Sequence, residues 1–174
     1  MLIDQFMPDF IVSKRHSVKI HDPLNSVYFF LLGVNFRDSS VMRWLFRLRG
    51  IPENALTLSG FGKAGFIPLA RIEKQEVLFG LVGRFWAYAP KLLFMDPETF
   101  RQFQQEGYAK AVINFSFHRL DANLTRVETE TRVHCTDHAS RNRFRLYWFL
   151  ISPFSAWIRQ EMLRLIKRAA EKTG

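Results

Sequence analysis

The sequence predicts an α+β fold in which a curved antiparallel β-sheet wraps around one long C-terminal α-helix, with two short helices after the first strand. Three observations carry this expectation. Between Thr136 and Gly174, Phe144, Tyr147, Trp148, Ile151, Phe154, Ile158, Met162, Leu165, Ile166 and Ala169 recur three or four residues apart, the spacing of one helix face. From Leu56 to Cys135 the pattern changes to period two and to short apolar runs, which read as strands. Ahead of them, two apolar stretches open on Asp or Ser and close on glycine, the punctuation of short helices.

Phe10 to Ile20 alternates, with Phe10, Val12, Val18 and Ile20 on one face and Ser13, Arg15, Ser17 and Lys19 on the other. Lys14 and His16 share the apolar face, so His16 is a polar residue aimed inward. It reads either as a core histidine satisfied by hydrogen bonds or as a ligand contact. Next, Asp22 suits an N-cap and Pro23 the first helical position, giving a helix to about Gly33. A second helix starts at Asp38 or Ser39 and stops at Gly50-Ile51-Pro52.

Leu56–Phe61, Phe66–Glu73, Glu76–Trp86 and Lys91–Met95 are candidate strands. Gly80 and Gly83 inside the third suggest a bulge or bend, which leaves open whether Phe79, Leu81 and Phe85 or their neighbours face inward. Asp96-Pro97 repeats the cap-then-proline pattern and opens a turn or two of helix to about Gln105, ended by Gly107. Ala109–Leu120 and Leu124–Cys135 form a hairpin through Asp121-Ala122-Asn123, with Asn123 suited to a left-handed conformation. In that register Phe117 opposes Val127, Phe115 opposes Thr129 and Ile113 opposes Thr131, so the two apolar faces coincide. Thr136 or Asp137 caps the terminal helix, and Pro153 predicts a kink or break near Ile151–Ser152.

Composition sets bounds on function. At 174 residues, uninterrupted by linker or repeat, residues 1–174 read as one domain. Eighteen phenylalanines either fill a thick core or line a hollow one. The lone Cys135 excludes an internal disulfide, the N-terminus lacks a secretory signal, and no apolar run spans a bilayer, so a cytoplasmic location is expected. A net charge of +9 attracts polyanions and anionic membrane surfaces. No run of bases or base-and-aromatic motif predicts specific nucleic-acid binding, and the oligomeric state is not written in the sequence.

An apolar strand ending in Val18-Lys19-Ile20, then His21-Asp22-Pro23 and Val27-Tyr28, with Thr125-Arg126-Val127 after the final turn and an amphipathic terminal helix, resembles START-related proteins, the SRPBCC superfamily. That superfamily includes the birch pollen allergen family and bacterial polyketide cyclase/dehydrase-like proteins. The resemblance covers nearly the whole chain. It implies a helix-grip fold with a hydrophobic cavity between sheet and helix, used to bind or carry lipids, polyketides, sterols or quinones, and in some members for cyclisation or dehydration.

No histidine or cysteine spacing points to a metal, no glycine-rich loop to a phosphate, and no Gly-x-Ser-x-Gly elbow to a hydrolase, so no catalytic residue, metal or cofactor is assigned. His134-Cys135-Thr136-Asp137-His138 reads as a strand-to-helix cap. What remains is an inward aromatic and hydroxyl set. The candidate ligand-binding residues are His16, Phe85, Ile113, Phe115, Phe117, Thr129, Thr131, Trp148, Ile151, Ser155 and Ile158. The expected partner is an apolar small molecule. Two alternatives stand beside it: a cyclase or dehydratase using His16 or a cavity tyrosine as proton carrier, and a basic protein meeting an anionic membrane or nucleic acid. Arg84 reads as a surface strand residue unless it turns inward to a carboxylate, and Tyr108 and Tyr147 as ligand-orienting or solvent-facing.

Overall fold

The structure is a computed structural model that describes residues 1–48, 57, 60–88 and 91–172. Its elements in chain order are α1 (Leu2–Phe6), β1 (Val12–Ile20), α2 (Leu24–Gly33), α3 (Ser40–Leu48), β2 (Ile67–Ile72), β3 (Glu76–Gly83), β4 (Leu92–Leu93), α4 (Pro97–Gln102), β5 (Ala109–Asp121), β6 (Leu124–Cys135) and α5 (His138–Glu171). The strands form an antiparallel sheet in the order β1-β6-β5-β3-β2, with β4 paired to β3 past the end of β2. This is the helix-grip arrangement: an open sheet, two short helices after the first strand, and one long terminal helix laid across it.

The hairpin builds the centre of the sheet. Ile113 pairs with Thr131 and Phe117 with Val127, as the coincident apolar faces require. Ile20, Phe79, Ile113, Phe115, Phe117 and Val127 face Ile158, Met162, Leu163 and Ile166 of α5 in one core cluster, closed at its edge by Val27, Tyr28 and Leu31 of α2. Each fully buried side chain of this size contributes about 1.5–3 kcal/mol, so the α5 stripe is what holds the helix down. Asp137 caps α5 by accepting from the Ser140 N–H at 2.8 Å, and it also accepts from the Gly107 N–H at 2.6 Å, tying the helix start to the loop before β5.

The opposite sheet face is covered too. Leu2, Ile3, Phe6 and Met7, in and just after α1, pack with Leu78, Val82, Phe100, Tyr108 and Val112 in a second cluster. The Glu76 carboxylate holds α1 there, accepting from the Leu2 N–H at 2.7 Å, the Ile3 N–H at 3.2 Å and Asn114 Nδ2 at 2.7 Å. Beside it, Glu130 pairs with Arg132 at 2.7 Å, and Arg132 with Asp4 at 2.8 Å.

Several expectations are corrected. Asp22 does not cap α2: Pro23 is the capping position, without a side-chain bond, and the Asp22 carbonyl instead accepts from Thr125 Oγ1 at 2.9 Å. The expected strand Leu56–Phe61 is not formed at its described end, where Gly60 turns into a 3-10 helix over Phe61–Ala64; Thr57 makes one bridge to Asn35. The stop at Gly50-Ile51-Pro52 lies outside the described residues. The hairpin loop is the two residues Ala122 and Asn123, with the register shift at Leu120, so Asn123 needs no left-handed conformation; Lys74 is the non-glycine residue with positive φ among those described. The irregularity expected at Gly80 sits in β2 opposite, between Pro68 and Ala70. Gly80 is required because a Cβ there would lie 2.7 Å from Phe100 Cε2 and 2.8 Å from Leu69 Cδ1. Helix α4 ends at Gln102 and not at Gln105. Finally, α5 runs unbroken through Pro153, which lies on its exposed side, where water can replace the bond its missing N–H forfeits. Among the described residues, no helix is long and apolar enough to cross a membrane.

Candidate functional site

The β3–β5 register is continuous from Glu76 to Gly83, so the phase left open by the glycines is settled: Val77 and Phe79 join the cluster under α5, while Leu78 and Val82 join the one under α1. Leu81 and Phe85 then fall on the α5 side as well, packed near Phe144. Between this sheet face and the middle of α5 lies a cavity of about 110 Å³. Its walls include Leu81, Phe85, Ala111, Ile113, Thr131 and Val133 below, and Phe144, Tyr147, Trp148, Ile151, Ser155 and Arg159 above. Aromatic rings take up the rest of the space: Phe144 stacks on Trp148 at 5.7 Å between centroids and meets Phe85 edge-on at 6.4 Å.

Of the expected ligand-binding residues, Phe85, Ile113, Thr131, Trp148, Ile151 and Ser155 line this cavity. Phe115, Phe117 and Ile158 do not line it: they belong to the close-packed core, where Phe117 meets Tyr28 edge-on at 5.3 Å. The phenylalanine-rich face is therefore hollow at one end and filled at the other. His16 and Thr129 also lie outside the lining, paired with each other across β1 and β6.

Their polar atoms are nonetheless distinctive. His16 Nε2, Thr129 Oγ1 and Thr131 Oγ1 are buried and have no hydrogen-bond partner among the described residues. Burial, then the charges of Arg159 and Lys14, hold the His16 imidazole below its ordinary value and keep it neutral near pH 7. Arg159, whose charge and position among the bases of the terminal helix suggest a solvated face, is instead buried, with Nη1 3.6 Å from Met162 Sδ. The helical signal for it was present: Arg159 is four residues after Ser155 and eight after Ile151, on the cavity side of α5. Phe66, Leu81, Ala111, Val133 and Phe144 are the other wall residues not proposed beforehand.

The remaining candidates resolve as structure. Arg84 is exposed, its guanidinium 4.8 Å above the Tyr108 ring, and Tyr108 packs in the cluster under α1, while Tyr147 reaches the cavity. Thr136 Oγ1 donates to the Tyr108 carbonyl at 3.0 Å, and burial pushes the Cys135 thiol up to about 11, so this stretch is a cap with an inert cysteine. Two larger grooves lie elsewhere: about 530 Å³ between α2 and the end of α5, beside Phe29, Arg168 and Lys172, and about 510 Å³ along β2, beside Leu32, Gly62 and Arg71.

No protein-family model and no curated protein matches this chain. Solved structures similar to it include a conserved protein from Geobacillus kaustophilus, with 7% identity, TM-score 0.49, and coverage of 93% of this chain and 97% of that one. The Zhui aromatase/cyclase from a Streptomyces species is similar with 12% identity and TM-score 0.35, over 92% of this chain and 94% of that one. The di-domain ARO/CYC BexL is similar with 12% identity and TM-score 0.38, over 92% of this chain and 47% of that one. At such identities the likeness ends at the fold.

Proposed function

We propose that this chain binds a hydrophobic small molecule of the lipid, polyketide or quinone kind between the sheet and α5, without covalent chemistry. The observation that carries this reading is the buried, unpartnered hydroxyl of Thr131 in the cavity wall, with the unpartnered atoms of His16 and Thr129 farther along the same sheet face. Leaving such a group unpaired costs about 1–3 kcal/mol, and folded proteins rarely do it. On the other face the same chain pairs Glu76, Asn114, Glu130 and Arg132, although the Nε of Arg126 is left without a partner there. A ligand carbonyl or hydroxyl would engage the Thr131 hydroxyl, while its apolar body lay against Ile113, Ile151 and Trp148. An apolar pocket with a few convergent polar groups is the usual form of a small-molecule site.

The cavity of about 110 Å³ is smaller than the roughly 300–1,000 Å³ of ligand pockets in general. Entry of a larger cargo therefore requires the rings at its rim to turn outward. Phe85, Tyr147 and Trp148 are half-buried and not locked in the core, which makes them the movable wall. For the cyclase or dehydratase alternative, His16 lies outside the lining, so the tyrosine in the wall, Tyr147, is the proton carrier that remains in place. The test is a thermal-shift panel of fatty acids, quinones and aromatic polyketides on the intact chain, combined with native mass spectrometry of the purified protein. A shift for one chemical class, reduced in Thr131→Val, is the expected result. No shift with any class and no co-purified mass would sink the reading.

A further inference from the structure

Helix α5 is apolar on more sides than the sheet can cover. Leu146, Phe149 and Leu150 are 70%, 78% and 62% exposed, and Trp157 is 44% exposed. With the exposed Pro153 between them, positions 146, 149, 150, 153 and 157 fall on one helical stripe facing away from the cavity. Helix α3 extends it: Trp44, 53% exposed, has its ring 6.4 Å from that of Trp157. The two helices are fixed to each other by Ser39 Oγ, which donates to Glu161 at 2.5 Å, while Arg164 binds the same carboxylate through two bonds of 2.7 Å. Large apolar side chains scattered singly need no explanation, but a contiguous row of them marks an interaction surface.

The charge around this row indicates its occupant. From His138 to Gln160, and throughout α3, the sequence contains no aspartate or glutamate. The exposed cations there are Arg143 and Arg145 of α5 and Arg47 of α3. We infer that this face docks on an anionic lipid surface, with Leu146, Phe149, Leu150 and the tryptophans entering the interfacial layer and the arginines meeting the headgroups. Tryptophan belongs at that depth, and a helix with aromatic and basic residues side by side is the usual interfacial form. A second copy of the chain fits poorly, because it would set the same arginines against each other on a molecule of net charge +9. The inner side of the same helical turns walls the cavity, through Tyr147, Trp148 and Ile151. Docking would thus place the cavity about one helix diameter, roughly 10 Å, from the lipid.

This inference does not rest on the cavity being occupied, and its test needs no ligand. The full chain is sedimented with phosphatidylcholine vesicles, with and without phosphatidylglycerol, at low and high salt, while tryptophan emission is recorded. The expected result is binding to the anionic vesicles alone, a blue shift, and release by salt. Both Leu146→Ser/Phe149→Ser/Leu150→Ser and Arg143→Glu/Arg145→Glu should weaken binding by about tenfold or more. These side chains are exposed, so circular dichroism and melting of the variants should match the parent. Absence of binding to anionic vesicles, equal binding to neutral ones, or parent-like binding by folded variants overturns the inference. So does a dimer in sedimentation equilibrium that the serine variant dissolves, which would assign the face to a second copy.

Discussion

Replacing Thr131 by valine should make the free protein more stable and a weaker binder. Its hydroxyl is buried without a partner, whereas that of Thr125, equally deep in β6, donates to the Asp22 carbonyl at 2.9 Å. Valine keeps the branch at Cβ, the rotamer preference and the liking for a strand, so the exchange removes little besides the unpaired polar atom. Relief of part of a penalty of about 1–3 kcal/mol predicts a gain of about 1–2 kcal/mol. At about 2–4 °C per kcal/mol for a chain of this size, the melting temperature should rise by about 2–8 °C. Thr125→Val, which breaks a made bond, should instead cost about 1 kcal/mol. Urea denaturation and melting of the three proteins, alone and with the responding ligand class, measure both effects. If Thr131→Val loses stability as Thr125→Val does, the hydroxyl is already satisfied, and the reasoning that it awaits a ligand is wrong.

Glu76→Gln removes the charged acceptor that holds α1 and Asn114, and should cost about 1.5–3 kcal/mol, with faster hydrogen exchange at Leu2 and Ile3 than elsewhere in the chain. Gly80→Ala places a methyl 2.7 Å from Phe100 Cε2 and should cost about 1–3 kcal/mol by overpacking; an unchanged urea midpoint would show that α4 gives way freely. Burial holds both His16 and His134 below the ordinary histidine value, so as pH falls below about 6.5 the unfolded chain binds protons first. Stability from these groups is therefore complete above that pH and declines below it until the folded values are reached. His16→Gln should flatten the fall in melting temperature between about pH 7 and pH 5, and an unaltered slope would refute its part. The separate loss from Glu161, held low by its pairing with Arg164, and from Glu130, which burial pushes up but Arg132, Ser13 and Arg15 together hold low, comes only as pH falls through about 4 and lower.

Much of the architecture was legible because period sets orientation. Alternation placed Ile113, Phe115, Thr129 and Thr131 on the inner face, and three-and-four spacing placed Phe144, Trp148, Ile158 and Ile166 toward the sheet. Helix α1 was not legible, since five residues show no periodicity and their burial depends on a carboxylate at position 76. The loop at Ala122-Asn123 misled because asparagine tolerates a left-handed turn without requiring one. Arg159 was hidden by its charge, which suggested solvent more strongly than its spacing suggested the interior. Hollow and filled ends of one face share the same residue types, so the boundary between Thr131 and Phe115 is decided by how rings from different elements pack.

The strand order also sets a schedule for making the protein. Residues 12–20 leave the ribosome long before residues 125–133, the strand they pair with. The β5–β6 hairpin, closed by a two-residue turn, can zip up on its own within microseconds, but β1 cannot join a sheet until β6 has been synthesised. Until then Val18 and Ile20 have no neighbouring strand, and the α5 stripe that will cover them does not yet exist. The grip of sheet on helix thus waits for α5, because the helix is made long after the first strand that it covers.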